Sequence, residues 1–113
     1  MNDLLHDRDL PAGVTPEAFI AKVVEQLAKD FELDLERLRT ARIGVGPLLK
    51  DVISAGLEGD PGPVFAAFYR LDLGEDRVRQ ILHDHDRLVA AGQLAELALQ
   101  RAALKVWTRL SYR

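Results

Sequence analysis

ILHDHDRL, residues 81–88, decides how the C-terminal half of this chain folds. The apolar positions Val78, Ile81, Leu88, Val89 and Gly92 stay in helical phase with His85, so residues 75 to the end can be read as one long helix. Against that, His83-Asp84-His85-Asp86 is a poor helix centre, and aspartate is a favoured N-cap because its carboxylate accepts from the free N–H groups of the next turn. The cluster therefore predicts a break at residues 84–86, with Asp84 or Asp86 capping a long last helix, His83 solvated and His85 half-buried.

The same four residues carry the chain's one sharp chemical possibility. Histidine with carboxylate suits zinc, manganese or iron, which would make a small metal-dependent enzyme using His83, His85 and Asp86. Geometry limits the idea. Consecutive helical positions point about 100° apart, so four adjacent ligands cannot converge on a helix, and only His83 with Asp86 share a face. Further ligands would have to come from His6 in the echo LHDRDL, residues 5–10. Hence no cofactor is expected, and His83 and Asp86 remain weak metal candidates.

Downstream, the segment from Arg87 to Ser111 is strongly helical and apolar on two sides. Leu99, Ala103, Val106 and Leu110 fall in one arc, with Leu94, Leu97 and Leu104 roughly opposite. Such a helix either lies deep in the domain or touches two neighbours. Its polar surface repeats a cation every fourth residue: Arg101, Lys105, Arg109 and Arg113 wind gently around it, with Trp107 and Tyr112 nearby. The stripe offers an electrostatic surface for an acidic partner or for nucleic acid. Cations near a helix C-terminus are also favoured for purely local reasons.

Upstream, helix signals recur and strand signals are scarce. Thr15-Pro16-Glu17 is a helix start, followed by Ile20, Val23, Val24, Leu27 and Phe31 at spacings of three and four. Asp34 caps a short helix through Thr40, with Leu35 and Leu38 inward. Gly44 and Gly46 break the chain, and Pro47 opens a helix carrying Leu48, Leu49, Val52, Ile53 and Leu57. Asp60-Pro61 starts another helix, in which Val64, Phe65 and Phe68 read as core. Tyr69 and Arg70 point elsewhere, as recognition candidates. Asp72-Leu73-Gly74-Glu75 has the spacing of a capping box, with aspartate in the serine role. Residues 1–14 read as an irregular N-terminal arm, and residues 15–113 as a single helical domain.

The expectation is an all-α, compact single-domain bundle of about five or six helices with a long C-terminal helix. At 113 residues the chain can bury roughly two-thirds of its unfolded surface without staples. It has no cysteine, which excludes disulfides and thiolate chemistry and fits a cytoplasmic setting. No apolar run approaches the roughly 18 residues of a membrane span, and the first residues lack the apolar core of a signal peptide. VISAG, residues 52–56, lacks the first glycine of a serine-nucleophile elbow, and GVGPLLKD, residues 44–51, lacks the Gly-Lys-Ser/Thr ending of a phosphate loop.

The net charge is −3, with 7 basic and 12 acidic side chains in residues 1–62 against 8 and 6 in residues 63–113. That balance argues against nucleic acid as the main partner. The function expected is a non-enzymatic helical module, an adaptor or accessory domain, that binds another protein or a second copy of itself as a homodimer. Its candidate contacts are Tyr69, Arg70, Leu94, Leu97, Arg101, Leu104, Lys105, Arg109 and Arg113. Nucleic-acid binding through the stripe, and metal-dependent catalysis at the histidines, are the alternatives.

Overall fold

The computed structural model describes residues 9–112. Six helices follow in order: α1 (Pro16–Phe31), α2 (Leu35–Arg39), α3 (Val45–Glu58), α4 (Gly62–Arg70), α5 (Glu75–Asp84) and α6 (Arg87–Ser111). Among the described residues there is no strand, so the fold is an all-α bundle with a long last helix.

The break at ILHDHDRL falls where aspartate chemistry places it. His85 is extended (φ −134°, ψ 155°), and the Asp86 carboxylate accepts from the Val89 amide at 2.9 Å to cap α6. Two other expected caps form as well: Thr15 accepts from the Ala18 amide at 3.1 Å and Asp34 from Glu36 at 3.0 Å. Helix α4 instead has Pro61 as its N-cap with no side-chain cap bond, and Asp60, one residue ahead, accepts from the Gly62 amide at 3.1 Å. Helix α3 begins at Val45, two residues before Pro47; Gly44 supplies the positive φ of 92° that turns the chain into it.

Helix α6 is the axis of the bundle, packed against α3, α1 and α5. Its two apolar sides are both satisfied internally: Leu94, Leu97, Leu99, Ala103 and Val106 are all buried. Buried alanines at 90, 91, 95, 98 and 102 let neighbouring backbones come close. The described part of the N-terminal arm is tied to the same helix. The Trp107 indole donates to the Asp9 carbonyl at 2.8 Å, and Leu10 and Val14 pack on the core.

At Gly56, α3 and α4 pack closely. A Cβ there would overlap the Cγ2 methyl of buried Val64. In an open helix Gly→Ala stabilises by about 1 kcal/mol. Here overpacking outweighs propensity, and Gly56→Ala should cost a net ~1–3 kcal/mol in urea unfolding. Adding Val64→Ala should recover part of that loss, giving a non-additive pair. A stabilised Gly56→Ala protein would contradict the close approach.

One expected element is different. Asp72 does not cap α5, whose N-cap is Gly74 with no side-chain hydrogen bond. Instead Asp72 is left-handed (φ 56°), with its amide on the Tyr69 carbonyl and the Leu73 amide on Phe68. These are the paired bonds of a Schellman ending, which satisfy the last carbonyls of α4. Glu32 closes α1 in the same way (φ 55°), with the Leu33 amide on Ala28. The sequence signal was an apolar residue at each end of the long bond, Phe68 with Leu73, and it outweighed the capping-box spacing.

Candidate functional site: the groove between α4 and α5

The Schellman turn at Asp72 swings the chain from α4 into α5 and leaves the two helices splayed. Between them lies a groove of about 450 Å³ lined by Phe65, Phe68, Tyr69, Asp72, Gly74, Glu75, Val78 and Arg79. Phe68 and Val78 are buried and form its floor. Phe65 packs edge-on against Phe68 with ring centres 5.7 Å apart, and Phe68 meets Phe31 likewise at 6.3 Å. The aromatic row is therefore held from the core outward.

Phe65 and Tyr69, one helical turn apart, form the open wall. Phe65 was expected in the core, but it is 42% exposed, and Tyr69 is 88% exposed. The reason is the splay: α5 packs on α6 and turns away from α4, so no described part of the chain covers this face. At the rim, Arg79 bridges Glu75 at 2.9 Å and Asp76 at 3.5 Å, and Asp72 faces Arg101 at 3.5 Å.

The other predicted contacts are placed differently. Leu94 and Leu97 are core residues, and Leu104 is half-buried, so these leucines do not form an outward face. The basic stripe is bound within the chain. Arg101 Nε donates to the Leu71 carbonyl at 3.1 Å, Lys105 to the Arg70 carbonyl at 3.4 Å, and Arg109 to Gln26 Oε1 at 3.1 Å. Arg70 donates to the Asp30 carbonyl at 2.7 Å and lies 3.6 Å from Glu32. Cations thus sit on the carbonyl ends of α1 and α4, where the helix dipole is negative. Arg113 lies outside the described residues.

The HDHD cluster is dispersed. His83 Nδ1 lies 3.0 Å from Asp84, His85 faces Gln93 at 3.2 Å, and Asp86 is spent on its cap. His85 is exposed, not half-buried, because the extended residue lifts it off the helix face. Hydrogen bonds from His83 and then Gln80 hold the Asp84 carboxyl below its ordinary value, so it is ionised at neutral pH and cannot serve as a general acid there. Among the described residues no three histidine or carboxylate groups converge on one point; His6 lies outside them. Nor is any described helix long and apolar enough to cross a membrane.

Compared with protein-family models, curated proteins and solved structures, the chain matches none.

Proposed function

We propose that this chain is a helical protein–protein interaction module, and that it binds through the α4–α5 groove instead of the leucines and cations of α6. One observation carries the reading: two aromatic side chains, Phe65 and Tyr69, are left open side by side over an apolar groove. The other large exposed apolar groups among the described residues, Ile43, Leu88, Val89 and Tyr112, line no part of it. Exposed aromatics on a rigid, core-backed wall are what binding hot spots are made of, since they add contact area at little entropic cost. A groove between two helices also suits a partner helix laying its apolar face into it.

Site-specific photocrosslinking in the native cell tests this. A benzoylphenylalanine at position 69 should give discrete protein adducts that Phe65→Ser reduces about tenfold or more, as for a hot-spot residue. The same probe at exposed position 43 should give none of them. Identical adducts from positions 43 and 69 would remove the groove from consideration.

A further inference from the structure

The rim of the groove specifies the kind of partner, given the reading that the groove is where a protein docks. Two carboxylates, Asp72 and Glu75, line it against one guanidinium group, Arg79, with Asp76 and Arg101 paired to these from outside the lining. Both guanidiniums already meet these acids. Arg79 lies between Glu75 and Asp76, and Arg101 is divided between Asp72 and the Leu71 carbonyl. An ionised carboxylate has about four acceptor positions, so Asp72 and Glu75, each met by one guanidinium, keep acceptors free at the rim. Asp72 and Glu75 are 86% and 88% exposed in their side chains, open to further donors. Between them, the Tyr69 and Phe65 rings offer faces on which the stem of a lysine or arginine can lie while its head reaches the rim.

The geometry points to a cationic amphipathic helix of another protein as the occupant, its apolar face against Phe65, Phe68 and Val78 and its bordering lysines or arginines on Asp72 and Glu75. The backbone supports the role of Asp72 in particular. Its left-handed conformation, closed by two hydrogen bonds, fixes the direction in which the side chain leaves the backbone before any partner arrives.

Two model helices with the same leucine spacing, one with lysine and one with glutamate at every polar position, distinguish the outcomes. They are titrated into the full chain by calorimetry at about 0.15 M salt, where long-range attraction is largely screened. The lysine helix should bind and the glutamate helix should not. Tyr69→Ala, a change at an exposed position, should weaken binding tenfold or more. Asp72→Asn keeps a residue that tolerates the left-handed conformation and should weaken binding about two- to fivefold. Equal binding of both helices, or indifference to Asp72→Asn, overturns the cationic partner but leaves the groove reading to the crosslinking. Lysine-helix binding that ignores Tyr69→Ala overturns it as well, since the contact is then elsewhere. Sedimentation showing a dimer that Tyr69→Ala dissolves would give the groove to a second copy, and would equally overturn it.

Discussion

Leu94→Ala should cost about 3–4 kcal/mol of folding stability, the range for a buried leucine whose neighbours cannot collapse into the space. Leu94 has no exposed surface, and it sits on the helix that α1, α3 and α5 all pack against. Its neighbours along the helix, Ala90, Ala91, Ala95 and Ala98, are short and cannot fill the void. A domain of this size holds about 5–15 kcal/mol in total, so the variant loses a large share of its margin. In urea the midpoint should fall with little change in slope, whereas half-buried Leu104→Ala should cost about 1 kcal/mol. The contrast decides between two uses of the same residues. If Leu94 and Leu97 formed a docking face, Leu94→Ala would leave the midpoint unmoved.

How much of this was readable in advance depends on the range of the interaction. Caps are local: Thr15, Asp34 and Asp86 each act on an amide two or three residues away, and each was legible from residue type and spacing. The two apolar sides of α6 were legible as well, but their meaning was not. Periodicity shows that a face is apolar, and it is silent on whether the cover comes from the same chain. Only the positions of α1, α3 and α5 turn Leu94 and Leu97 into core. Phe65 failed for the converse reason. Its spacing to Phe68 is that of a core pair, and it is left open by the direction in which α5 departs after Gly74, whose φ of 91° no helical pattern announces. The groove is thus a property of one turn. Its trace in the sequence was the pairing of Phe68 with Leu73 across Asp72, where the capping-box reading competed and lost.

Lys105→Glu tests whether the basic stripe helps hold the fold together, and the expected result is a loss of about 2–4 kcal/mol of stability. Lys105 Nζ lies 3.6 Å from the carboxylate of Asp30, whose side chain is 3% exposed, and the same carboxylate accepts from Gln26 Nε2 at 2.8 Å. Arg109 donates to the far side of that Gln26, so α1 and α6 are joined by one polar network. Reversing Lys105 sets a second negative charge beside a buried one, and removes a donor from the carbonyl end of α4. Lys22→Glu, on the exposed side of α1, should change stability by no more than about 0.5 kcal/mol. The cycle of Lys105→Gln, Asp30→Asn and the double variant isolates the pair. The amide introduced by Asp30→Asn retains an oxygen for Gln26, so the double variant should be more stable than Lys105→Gln alone. If Lys105→Glu were as stable as the parent, the stripe would be a solvated face, and its cations would be free to meet a partner. Otherwise, charge reversal in the stripe reports on folding before it reports on binding. The double variant, which removes the Lys105 charge from a chain that still folds, is then the form in which salt-dependent nucleic-acid affinity has to be measured.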